Sequence, residues 1–114
     1  MESTDSDMIR VISLIQMSPD KFEIDRITER TGTEGMSISF VSFPPGTRRP
    51  WSSHDQNQYV WTLGGRGIIA SEEVDIELEP GMMIFIPAGL RHQHGAVEGE
   101  GFTQLSIIGG KGRS

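Results

Sequence analysis

Apolar and polar positions alternate along most of this chain with a period of two, and Gly or Pro interrupts them about every ten residues. Met36 to Phe43 alternates Ser with apolar residues and stops at Pro44-Pro45-Gly46. Gln58 to Leu63 is β-branched and aromatic, and Gly64 to Gly67 separates it from Ile68 to Val74. Ile76 to Leu78 ends at Glu79-Pro80-Gly81, Met82 to Ile86 is an apolar run closed by Pro87-Ala88-Gly89, and His92 to Val97 and Phe102 to Ile108 follow. Short strands at this spacing, divided by turn residues, predict an all-β sandwich or barrel. Gly64 to Gly67 reads as the turn of a hairpin joining the strands on either side.

The first third is less regular. Met8 to Met17 is apolar enough for a strand, and Ser18-Pro19-Asp20 is a turn or the start of a single helical turn. Phe22 to Thr31 mixes apolar and charged positions and suits a strand on a wet edge, with a short helix as the alternative. Residues 1–8 and 109–114 read as loose termini of a single domain spanning 1–114. One face of the strand Gln58 to Leu63 carries Tyr59, Trp61 and Leu63, and the other carries Val60 and Thr62. By size, the aromatic set is the expected core layer.

Composition narrows the function. With 114 residues there is room for one core. The formal charge of −6 argues against a nucleic-acid or anionic-membrane partner. Cysteine is absent, which excludes disulfides, thiolate metal sites and thiol nucleophiles. The start lacks the basic and apolar regions of a secretory signal, and no apolar stretch reaches spanning length, so the expected location is the cytoplasm. Gly65-Arg66-Gly67 precedes a strand rather than a helix, and no helix follows Gly109-Gly110-Lys111, so neither is a phosphate loop.

The candidate chemistry lies in two segments. All three histidines, His54, His92 and His94, fall there. His92 and His94 share a strand face by alternation, and Gln58 shares the face of His54 if one strand runs through both. Imidazole with amide or carboxylate oxygen suits Zn, Fe, Ni or Mn. The competing reading is a polar pocket without a metal. Asp55 is a further candidate carboxylate, although its position beside His54 aims it off that face. Arg48, Arg49 and Arg91 are read as solvated charges rather than substrate clamps.

These segments resemble the two motifs of the cupin family. The first motif is Gly, five residues, His-x-His, three or four residues, Glu, six residues, Gly. Gly46, His54 and Gly65 match it, Ser52 replaces the first His, and Gln58 replaces the Glu. The second motif is matched by Gly81, Pro87, Gly89 and His92, while Ala96 stands where Asn is usual. The resemblance covers roughly residues 36 to 108 and implies a jelly-roll β-barrel. It is similar to a subgroup of small metal-dependent cupin lyases, manganese- or iron-dependent hydroxynitrile lyases among them, in which Gln replaces the Glu ligand. It implies a divalent transition metal held by His54, Gln58 and His92, with His94 as the proton-transfer group or a replacement ligand. Lyase or isomerase chemistry on a small polar molecule follows, with an iron oxygenase or a metal-free ligand-binding or sensor module as alternatives. For Gln58 to be a ligand it must face inward with Val60 and Thr62, which turns Tyr59, Trp61 and Leu63 outward. That outward apolar face, with Met8 to Met17 joining a neighbour, implies a homodimer.

Overall fold

The computed structural model describes residues 9–13, 16–18 and 20–111. Eight strands and one short helix follow in order: β1 (Glu23–Arg26), α1 (Ile27–Thr31), β2 (Met36–Phe43), β3 (Gln56–Gly65), β4 (Gly67–Ala70), β5 (Asp75–Leu78), β6 (Met83–Ile86), β7 (Gln93–Ala96) and β8 (Phe102–Lys111). They form two antiparallel sheets, a five-stranded one in the order β1-β2-β8-β3-β6 and a three-stranded one in the order β5-β4-β7. This is the expected all-β jelly-roll barrel. Among the described residues no helix is long and apolar enough to cross a membrane.

The core lies between the sheets. Val41, Phe43, Val60, Ile86 and Phe102 of the large sheet pack against Ile69, Leu78 and Ala96. Alternation decides which residues meet there. Along β3, Gln58, Val60 and Thr62 are 3%, 0% and 1% exposed, whereas Tyr59 and Leu63 are 42% and 40% exposed. The expectation that Tyr59, Trp61 and Leu63 form a core layer is therefore incorrect. The inner face is the one that meets the small sheet, and it carries the smaller and polar residues.

The expected hairpin does not form. β3 pairs with β8 and β6, while β4 pairs with β5 and β7. The segment Gly64 to Gly67 instead carries the chain from one sheet to the other. A register shift falls between Thr62 and Gly64, and Gly65 has φ 71°. A side chain at Gly65 would meet the Gly101 carbonyl oxygen at 1.8 Å, and one at Gly67 would meet the Phe102 ring at 2.5 Å. Glycine is needed at both positions because the backbone passes too close to its neighbours for any Cβ. β4 also ends earlier than expected, at Ala70, because the Ser71 hydroxyl accepts from the Glu73 and Val74 amides and folds the next residues into a turn.

Elsewhere the differences are local. Phe22 to Thr31 is both of the anticipated alternatives in succession, β1 and then the single-turn helix α1. The helix ends at Gly32, whose φ of 73° gives a left-handed cap. In the stretch Met8 to Met17, described residues 9–13 and 16–17 are not strand, and the others lie outside the described residues, as does Pro19 of the adjoining turn. At the far end β8 runs on to Lys111, with Gly109 opposite Met36 and Lys111 opposite Gln56, so residues 109–111 are strand rather than loose tail.

Candidate functional site

The inner face of the large sheet opens on a cavity of about 330 Å³. Val41, Phe43 and Ile108 supply an apolar wall, and His54, Gln58 and His94 supply nitrogen and oxygen donors. Two loops close it. Ser52 and His92 exchange backbone hydrogen bonds of 2.9 and 2.8 Å, which places the two motif segments side by side. The Gly89 amide donates to the His54 carbonyl at 2.7 Å, and the Ala88 amide donates to the Asn57 side-chain oxygen at 3.0 Å. The Pro87-Ala88-Gly89 turn thus anchors the loop that carries His54.

Each predicted site residue can now be placed. His92 is 1% exposed. Its Nδ1 lies 2.9 Å from the Leu90 carbonyl oxygen, which can only accept, so Nδ1 carries the proton and Nε2 is left with a lone pair. That Nε2 is buried without a protein partner. Gln58 is similarly arranged: Nε2 donates to the Ser106 hydroxyl at 2.8 Å, and Oε1 is buried with no partner. His54 lies in the loop ahead of β3 rather than in the strand, and a register shift separates Gln56 from Gln58, so strand alternation does not relate His54 to Gln58. The loop nevertheless brings it to the cavity, with its ring centroid 5.3 Å from that of His92.

His94 faces the same way as His92, with ring centroids 5.0 Å apart, and stacks almost parallel on Phe43 at 6.3 Å. Burial, then the neighbouring His92, push its pKa down to about 4, while Gln104 opposes the shift and His54 adds to it. Burial and then His92 also lower the pKa of His54. Ser52 lines the cavity from an exposed position, whereas Asp55 is exposed and does not line it. Arg48 and Arg91 behave as solvated charges, 3.6 Å from Asp75 and 3.0 Å from Glu72. Arg49 lines the cavity mouth.

Sequence reasoning missed Ser39, Gln104 and Ser106, which also line the cavity. The signal was present in β8, where Gln104 and Ser106 interrupt the inward series Phe102, Gln104, Ser106, Ile108. A polar residue on a face otherwise apolar marks a place where the core opens.

The donor set is neutral. No residue lining the cavity is acidic, and among the described residues no group of three or more His, Cys, Asp or Glu side chains is placed to hold a metal ion. An ion here would need the amide oxygen of Gln58 beside the imidazoles. Gln58 Oε1, partnerless and fixed through its Nε2, and the His54 imidazole both lie on this cavity and fit that requirement, whereas His92, whose Nε2 is also partnerless, lines a separate smaller cavity with Ile69, Ile84 and Leu90.

Comparison with known proteins gives consistent results. Residues 39–108, more than half of the chain, match the cupin domain family. A (R)-mandelonitrile lyase from Granulicella tundricola is 32% identical over 68 residues, covering 59% of this chain and 52% of that protein; the chain thus spans about half the length of this relative. Among solved structures, a cupin-like protein from Thermotoga maritima superposes with a TM-score of 0.70 at 26% identity, over 75% of this chain and 66% of the other. An RmlC-like cupin family protein with a double-stranded β-helix fold from Methanocaldococcus jannaschii gives 0.77 at 10% identity, over 91% and 94%.

Proposed function

The chain belongs to the cupin domain family, and from that premise we propose that its cavity is a metal-dependent site for lyase or isomerase chemistry on a small polar molecule. His54, Gln58 and His92 would hold a divalent transition metal, Mn, Fe, Ni or Zn, with His94 beside it. The observation that carries this reading is the pair of buried, partnerless acceptors, His92 Nε2 and Gln58 Oε1. A buried acceptor without a partner costs stability, on the order of 1–3 kcal/mol, and a cation held by these side chains would offset that cost. The likeness to a (R)-mandelonitrile lyase supports the lyase class.

When bound, the ion supplies Lewis-acid polarisation of a carbonyl or hydroxyl oxygen. The remaining work falls to side chains. Ser106 orients the Gln58 amide by accepting from its Nε2. The Leu90 carbonyl sets the tautomer of His92. Phe43, stacked on His94, fixes the plane of that ring, and its neutral form would exchange a proton with the substrate. Burial makes His94 a weak base; negative charge developing on a substrate beside it would raise its basicity. Val41, Phe43 and Ile108 exclude water from one side of the substrate.

Metal analysis by plasma mass spectrometry, on protein incubated with Mn(II), Fe(II), Ni(II) or Zn(II) and then desalted, tests the reading. The wild type is expected to retain about one ion per chain, His92→Ala none, and His94→Ala most of it with loss of any activity. Equal loss in both variants would make His94 a ligand. Retention of no ion by the wild type would overturn the metal reading. It would favour a metal-free ligand-binding module, for which the exposed Ser52 at a motif ligand position is the supporting observation.

A further inference from the structure

We infer that the cavity takes a small organic carboxylate and that Arg49 at its mouth recognises the negative charge; this rests on the cavity being the functional site proposed above. The argument begins with the arginines. Arg26, Arg30, Arg48, Arg66 and Arg91 lie within ion-pair distance of Glu29, Asp25, Asp75, Glu77 and Glu72, and Arg10 donates to the Thr31 carbonyl. Among the described arginines Arg49 alone has no carboxylate or carbonyl acceptor for its guanidinium. The chain has 16 acidic residues, so acids are not scarce; they are absent from this place. None of the residues lining the cavity is Asp or Glu.

The guanidinium is nonetheless held. Its carbon sits 4.0 Å over the centroid of the Phe22 ring. Phe22 in turn meets Phe43, which lines the cavity, edge-on at 5.5 Å. Stacking engages the flat face of a guanidinium and leaves its in-plane N–H donors free, and that fork matches a carboxylate. The backbone is fixed as well: the Arg49 amide donates to the His94 carbonyl and the Gln93 side chain donates to the Arg49 carbonyl, both at 2.9 Å. Arg49 is thereby attached to the strand that carries His94. The apolar wall of Val41, Phe43 and Ile108 would take the hydrocarbon body of the ligand, and the space of about 330 Å³ suits a small organic acid.

Calorimetric titration with phenylacetate and its neutral isostere phenylacetamide tests the inference, using wild type and Arg49→Gln, each chelator-treated and Mn(II)-loaded. Chelated wild type is expected to prefer the carboxylate about tenfold at low salt, the low end for a charged hydrogen-bonded pair because the site is open to screening. Arg49→Gln should lose that preference while its affinity for phenylacetamide and its circular dichroism spectrum stay unchanged. Preference surviving in the chelated variant overturns the inference. So does preference that appears only with Mn(II), because the ion then reads the charge; that outcome leaves the metal reading standing. Preference dependent on Arg49 in protein that retains no Mn(II) supports the inference and sinks the metal reading. Failure of both compounds to bind, or equally tight binding of inorganic phosphate, overturns the carboxylate assignment.

Discussion

Acidifying the metal-free protein should destabilise it through His94. Burial and the adjacent His92 hold the folded pKa of this residue at about 4, against 6.5 for a free histidine. The unfolded chain therefore takes up the proton first as pH falls, and folded stability declines below the unfolded value. The His94 contribution is fully present above about pH 6.5, is lost progressively as pH drops, and is exhausted once pH passes the folded pKa. Linkage with these two values gives a loss of about 2–3 kcal/mol between about pH 7.5 and about pH 4.5. Carboxylates also titrate over part of this range, so the comparison must be with a variant that keeps them. His94→Gln retains a polar side chain that does not ionise. Urea unfolding of both proteins in chelator, at matched pH values and with equal m-values, yields the difference in stability directly. The wild type should lose about 2–3 kcal/mol more than the variant across the range. Parallel pH profiles would refute the reasoning, because they would mean that His94 is as easily protonated in the folded barrel as in the unfolded chain.

Gly65→Ala places a methyl group 1.8 Å from the Gly101 carbonyl oxygen at φ 71°; strain and overpacking together should cost about 2–4 kcal/mol in urea unfolding, and a loss under about 0.5 kcal/mol would show that the crossover is not as tight as described. Ser52→His adds a nitrogen ligand at a cavity-lining position and should tighten metal binding by roughly 10- to 100-fold in competition with a fluorescent chelator, while unchanged affinity would mean that His54 and Gln58 are not placed as ligands. The outer face of the large sheet exposes Tyr59, Leu63, Met83 and Phe85, with Phe85 50% exposed on the edge strand. Exposed apolar surface of this kind points to a homodimer in sedimentation equilibrium that Phe85→Glu weakens, and a monomeric wild type at micromolar concentration would rule it out.

Local patterns determined a good deal of this protein. The period of two was enough for an all-β chain, and it correctly separated the Gln58, Val60, Thr62 face from the Tyr59, Trp61, Leu63 face. The spacing from Gly81 through Pro87 and Gly89 to His92 located a turn and a buried histidine whose ring lies 5.3 Å from that of His54, although His92 itself does not line the cavity that His54 and Gln58 share. These features are legible because side-chain alternation and turn chemistry depend on residues close in the chain. Which face is inside was not legible from size, since the larger side chains of β3 point outward. Pairing was not legible either. Gly64 to Gly67 has the composition of a hairpin turn, yet it serves as a crossover, because the partner of β3 is β8, some forty residues away, and the choice is made by packing between sheets. The same long-range pairing brings Ser106 to Gln58, and the packing of one sheet on the other sets Gln104 beside His94. Arg48, Arg49 and Arg91 look alike in the chain. Only the fold sets two of them against carboxylates and leaves the third over Phe22 at the mouth of the cavity, because a charge finds its partner through space and not along the sequence.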